Sequence, residues 1–207
     1  MGSAVSSHSV TEAELQQFAD FIGVSAAAPG RCSLLLLFQL YCSARAPSFP
    51  ADPAKVVAEI RGLEGLGGSV GTKSAEKFKY PPLGPFWKKH FLVGGAAPMV
   101  RNIQNALGKK QKVLRKIVEE NWNPTTSHLP PEVISKNIAD AVMDLYANRR
   151  LEEKLTGEWI IFGRNDEKNY YLTLATHDEP NEQIFERMER VCSREFPFLF
   201  GANSAQT

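Results

Sequence analysis

The stretch EWIIFGRNDEKNYYLTLATH, from Glu158 to His177, constrains the fold more than any other segment. Two runs rich in Ile, Phe, Tyr, Leu and Thr flank a polar cluster. β-Branched and aromatic residues suit a pleated, half-buried surface, and the polar cluster suits a turn. The pattern predicts a β-hairpin with strands at 159–164 and 170–177 and a five-residue turn, NDEKN. Two strands alone are marginal in water. The hairpin therefore has to pack on helices and gain further strands, either from the run 33–41 or from the edge of a partner.

The rest of the chain reads as helix. Thr11 and Glu14 form a capping box for a helix with Leu15, Phe18, Ala19 and Ile22 inward, which Gly23 can end. CSLLLLFQLYC, from Cys32 to Cys42, is the most apolar run. It is far shorter than the ~20 residues a bilayer span needs, and it starts too late for a secretion signal. A buried helix over 33–43 is expected. Asp52-Pro53 is an N-cap followed by a first-turn proline, leading a helix with Val56, Val57, Ile60 and Leu63 inward. Pro85 is expected to open a short helix through Phe86, Trp87, His90 and Phe91, ended by Gly94-Gly95. Further helices follow from Pro98 to Gly108, around Val113–Val118, from Pro131 towards Leu155, and over Asn181–Arg194. With 43% apolar residues, a sizeable core is available.

The organisation expected is a disordered tail (1–10), an N-terminal helical segment (11–64), a linker (65–76), a unit of basic helices with hairpin and C-terminal helix (77–200), and a frayed end (201–207). The class is α+β, mostly helical, with a small antiparallel sheet around the hairpin.

Charge is unevenly spread. The chain carries +1 overall, yet the 42 residues from Lys77 to Val118 contain ten bases and no acid, leaving 14 bases and 23 acids elsewhere. Such asymmetry suggests a polyanionic partner. Phosphate contacts fall naturally to Lys88, Lys89, Arg101, Lys109, Lys110, Lys112, Arg115 and Lys116. Trp87, Phe86 and Phe91 interleave with Lys88, Lys89 and His90, the mixture that stacks on bases while holding phosphates.

Several chemistries lack their motifs. There is no HxH, HExxH or CxxC, so no metal is expected, and no GxGxxG turn; Ser69 has the GxSxG spacing within Gly67–Gly71, but no apolar strand precedes it to make a nucleophile elbow. GLGGSVGT (65–72) lacks the Gly-Lys-Ser/Thr ending of a phosphate loop, and no cofactor is expected. Three cysteines at unrelated positions fit free thiols in a reducing cytoplasm. What is left for chemistry is histidine. His8 belongs to the tail and His128 to a Pro-rich loop. Period two on the second strand places Tyr171, Thr173, Ala175 and His177 on one face. His90 is the histidine of the acid-free stretch. Two imidazoles can serve as base and acid towards an RNA 2′-hydroxyl, with Lys or Arg steadying the phosphorane.

The reading is a nucleic-acid-acting protein, RNA before DNA. Its catalytic form is a metal-independent endoribonuclease with His90, His177, Thr173 and Tyr171 in the site. Helices followed by a hairpin, with paired histidines, make a layout analogous to small bacterial endoribonuclease toxins. Another polyanion is the other partner this charge allows. The rivals are a non-catalytic nucleic-acid-binding adaptor and a protein-interaction or immunity-type module whose sheet edge pairs with a partner. The distance from His90 to His177 separates enzyme from adaptor. An unpaired, uncharged hairpin edge marks the interaction module.

Overall fold

The computed structural model describes residues 10–45, 51–67, 71–93, 96–108, 112–122, 130–152, 154 and 157–201. Lys109, Lys110, Gly94, Gly95, His8 and His128 lie outside them. The class is α+β, as the sequence predicts. The sheet has four antiparallel strands in chain order: β1 (Glu76–Lys77), β2 (Trp87–Phe91), β3 (Glu158–Asn165) and β4 (Lys168–Ala175). Helices α1 (Glu12–Phe21), α2 (Val24–Ala27), α3 (Leu34–Arg45) and α4 (Pro53–Leu63) precede it. α5 (Ala96–Leu107), α6 (Lys112–Asn121) and α7 (Pro131–Leu151) are inserted between β2 and β3 and pack on one another. α8 (Asn181–Glu195) and a short 3-10 turn end the chain.

Helix starts follow the local rules. Thr11 accepts from the Glu14 amide, and the Glu14 carboxylate returns to the Thr11 amide at 2.8 Å. The Asp52 carboxylate caps Ala54 ahead of Pro53. Gly23, just past α1, takes the left-handed φ of 79° that glycine adopts freely. Among the described residues no helix is long and apolar enough to cross a membrane.

Both faces of the sheet are covered. Leu36, Leu40, Val56, Ile60, Ile160 and Phe162 form a core between α1–α4 and one face. Phe86, Ile161, Leu172, Ile184, Met188 and Cys192 form a second core between the other face and α8. Burial on both sides accounts for the near-continuous apolar runs of the hairpin strands. The expected linker 65–76 is partly built in: Thr72 is fully buried and Glu76 begins β1.

Three expectations change. Residues 87–91 are a strand, not a helix, pairing Trp87 with Phe162 and Phe91 with Glu158. Alternation explains it: Trp87 and Phe91 face the first core, whereas Phe86 faces the second. The third strand therefore comes from this segment, and 33–41 is helix. Next, the turn is two residues, not five. Asp166 and Glu167 both adopt positive φ (47° and 61°), so Asn165 already pairs with Lys168. Paired positive φ values give the turn whose twist matches a hairpin.

The third change lies in β4, where a bulge interrupts the register. Phe162 pairs with Tyr171, but Ile161 pairs with Thr173, so Leu172 is extra. A bulge of this kind reverses the alternation beyond it. Tyr171 and Leu174 face the α1–α4 core, and Leu172 and Ala175 face α8. The expected single row of Tyr171, Thr173, Ala175 and His177 does not exist.

The outer edge of β4 is closed by the chain itself. Ser33 donates its amide to the Tyr171 carbonyl at 2.9 Å, and Tyr171 donates to the Arg31 carbonyl at 2.7 Å. Gln39 of α3 then mimics a strand: its Oε1 accepts from the Leu174 amide at 2.8 Å and its Nε2 donates to the Leu174 carbonyl at 3.1 Å. The opposite edge is the two-residue, charged β1. Neither is the open, uncharged edge that a strand-adding partner uses.

Candidate nucleic-acid interface

β1 hydrogen-bonds to β2 with Glu76 opposite Lys88 and Lys77 opposite Trp87. This pairing, with the loop that follows, opens a surface groove of about 340 Å³ beside β3. Lys77, Lys79 and Lys88 line it together with Phe78, Tyr80 and Trp159, and Glu76 and Asn181 complete its walls. The sequence KFKY alternates charge and ring, so the groove receives both kinds of group from one short segment. Phe78 and Trp159 meet edge to face at 5.6 Å. Lys88 Nζ lies 4.6 Å from the Trp159 centroid and 5.1 Å from that of Phe78. It also pairs with Glu76 at 3.3 Å. Burial works against ionisation of Glu76, but the Lys88 bond and the charges of Lys88 and Lys73 outweigh it and hold its carboxyl below the usual range. Tyr80 is 72% exposed and free to stack.

Trp159 connects the groove to the histidines. Its ring is 4.5 Å from His177, and His177 stacks on His90 at 5.3 Å with planes 23° apart. The structure therefore brings the two imidazoles together. They are not equivalent. His90 is 3% exposed, and its Nδ1 lies 2.7 Å from the Gly157 carbonyl. Burial pushes the imidazole down to about 4; the bond to Gly157 opposes this, and His177, Lys73 and Lys88 add to the depression. His90 is neutral at pH 7. Gly157 has no room for a side chain, since a Cβ there would run into the Phe91 carbonyl, so β2 and the start of β3 stay close around His90.

His177 is more accessible. Glu158 Oε2 accepts from its amide at 2.8 Å and lies 3.2 Å from its Nδ1. Burial would raise the Glu158 carboxyl. The two His177 contacts and the charges of His177 and Arg101 prevail, and it sits below the usual range. A carboxylate on Nδ1 fixes the ring and leaves Nε2 for proton transfer. Arg101 of α5 is exposed and close enough for its charge to reach Glu158.

Other expected site residues lie elsewhere. Lys89 is buried, 4% exposed, and faces the first core. Its ammonium pairs with the fully buried Glu59 at 3.3 Å and donates to the Thr72 and Lys73 carbonyls. It cannot hold phosphate. Lys112, Arg115 and Lys116 are exposed on α6 and do not line the groove; Lys116 pairs with Glu120 at 3.6 Å. Thr173 is buried and donates to Gln39 at 3.0 Å, serving the β4 edge.

Tyr171 is also buried. Its hydroxyl donates to Glu64 at 2.6 Å, beside Arg31, which donates to the same carboxylate. Burial and the Glu64 bond raise its pKa well above the ordinary tyrosine value, so it does not serve as a base. Removing this charge-assisted bond by Tyr171→Phe is expected to cost about 1.5–3 kcal/mol. A shifted urea midpoint would show it.

Burial pushes the thiols of Cys32 and Cys192 up to about 12, and all three cysteines are unpaired. Among the described residues no three His, Cys, Asp or Glu side chains converge as metal ligands. Sequence reasoning missed Trp159, Glu158, Phe78 and Tyr80, and left Lys77 and Lys79 out of the expected phosphate contacts. The alternation in KFKY was the available signal for four of these. Comparison with known proteins gives no match to any family model, curated protein or solved structure.

Proposed function

We propose that this protein binds single-stranded RNA in the cytoplasm, with the strand running through the Lys77–Tyr80 groove. One observation carries the reading: three lysines and three aromatic rings share one groove, whose single lining acid, Glu76, is paired with Lys88. Bases stack on exposed rings whatever their identity, and ammonium groups follow the backbone. Reduced, unpaired cysteines suit the cytoplasm. The exposed cations of α6 are a second source of backbone contacts.

Cleavage is the second reading, favoured by the His177–Glu158 contact next to Trp159. In it His177 takes the 2′-hydroxyl proton, the 2′-oxygen attacks phosphorus, the bond from phosphorus to the 5′-oxygen breaks to leave a 2′,3′-cyclic phosphate, and solvent water protonates the departing 5′-oxygen. The neutral, buried His90 is poorly suited to supply that proton and instead backs the His177 ring. Binding alone is therefore the primary reading.

The test is fluorescence anisotropy of a labelled single-stranded RNA, followed by incubation of the same RNA in EDTA. Tyr80→Ala removes an exposed ring and should leave the fold intact. It is expected to weaken binding by roughly 5- to 150-fold, since a stacked base is worth about 1–3 kcal/mol. Unchanged affinity would remove the groove from the interface. Cleavage in EDTA that disappears in His177→Ala would establish the second reading.

A further inference from the structure

A second cavity, of about 240 Å³, opens at the end of the sheet where β2 finishes and β3 begins. It is smaller than the roughly 300–1,000 Å³ of sites that take drug-sized ligands, and one ring system suits it better than a chain. Phe91, Leu174, Ala51 and Ala175 give it largely apolar walls. Its polar groups are mostly committed. Gln39 holds the β4 backbone, and Arg187 pairs with Glu179 and donates to the Leu174 carbonyl at 3.2 Å.

Glu158 differs. Its Oε2 serves His177, whereas Oε1 has no hydrogen bond among the described residues. The same carboxylate links cavity and groove: it lines the cavity and holds His177, which touches Trp159 of the groove. An ionised carboxylate only accepts hydrogen bonds. Guanine presents two neighbouring donors, N1–H and the N2 amino group, which can share the two acceptor sites of Oε1 while Oε2 stays with His177. Adenine and cytosine set a donor beside an acceptor, and uracil sets its donor between two acceptors.

We propose that this cavity is a base-selecting pocket that takes one guanine of the bound strand, read by Glu158. The inference rests on the groove reading above and adds sequence preference to it. A guanine held here brings its nucleotide next to His177.

The test uses the full chain and three labelled RNAs: all-uridine, one with a single central guanosine, and one with inosine there. Inosine lacks the N2 amino group. The guanosine RNA should bind about tenfold more tightly than all-uridine, the usual size of a bidentate base contact, with inosine between them. Thr176→Trp adds bulk at a residue that lines this cavity and not the groove. It should bring the guanosine RNA down to the all-uridine level without changing all-uridine binding. Equal affinity of the wild type for guanosine and uridine RNAs overturns the pocket while leaving the groove. So does a guanosine preference that survives Thr176→Trp. Failure of every RNA to bind at low salt overturns both.

Discussion

Lys89→Met is expected to lower stability by about 3–5 kcal/mol, the cost of breaking a buried ion pair by removing one partner. Lys89 and Glu59 are 5% and 0% exposed at their side chains and 3.3 Å apart. Methionine keeps most of the volume but strands the carboxylate, with Thr72 Oγ1 still donating to it at 2.9 Å. At roughly 2–4 °C per kcal/mol for a chain of this size, Tm should fall by about 10 °C. Replacing both partners with apolar residues, Lys89→Met with Glu59→Leu, should recover most of the loss, because no charge then remains uncompensated. A phosphate-binding lysine behaves in the opposite way: its removal weakens RNA binding and leaves stability nearly unchanged. Thermal melts and anisotropy on the same sample distinguish the two roles.

The second large effect is acid lability centred on His90. Its folded pKa of about 4 lies below the ordinary histidine value of 6.5. Between these values the unfolded chain binds the proton and the folded chain does not. Stability therefore rises with pH through this window and is complete above about 6.5. As pH falls from 6.5 towards 4, His90 should remove up to about 3 kcal/mol, at 1.36 kcal/mol per pKa unit. The groups around it are His177, Lys73, Lys88 and the Gly157 carbonyl. Denaturation midpoints between pH 4 and 7 should show the loss. His90→Gln should flatten this part of the profile, because a neutral amide has no proton to gain. A wild-type profile that is flat from 6.5 to 4 contradicts a buried neutral His90.

Much of the architecture was legible because it depends on local chemistry. The capping box at Thr11–Glu14, the Asp52-Pro53 start, Gly108 after α5 and the Pro131 opening of α7 each use short-range hydrogen bonds or fixed φ values, and each stands where the residues predict. The hairpin was legible from its period. What was hidden depends on pairing between distant segments. Residues 87–91 have too few positions to separate period two from period 3.6, and only β3 makes them a strand. The bulge at Leu172 inserts one residue, and one residue is enough to bring Tyr171 and Leu174, expected on opposite faces, to the same one.

The site divides in the same way. Nearness of His90 and His177 follows from β2 pairing with β3 and β3 with β4, which is non-local. Charge count alone gave Lys88 and Lys89 the same role. Adjacent residues on a strand face opposite ways, so one meets the groove and the other a buried glutamate. Glu158 and Trp159 looked like ordinary strand residues until the fold set them against His177.

The most direct test of the groove is the salt dependence of RNA binding, compared between wild type and Lys77→Gln/Lys79→Gln. Each phosphate contact on a single strand contributes about −0.7 to the slope of log K against log salt. Contacts from Lys77, Lys79 and Lys88 contribute roughly −2 to the slope, and the double variant is expected to lose about 1.4 of its magnitude. A slope that is the same in both proteins, or no binding of RNA at low salt, would contradict the account.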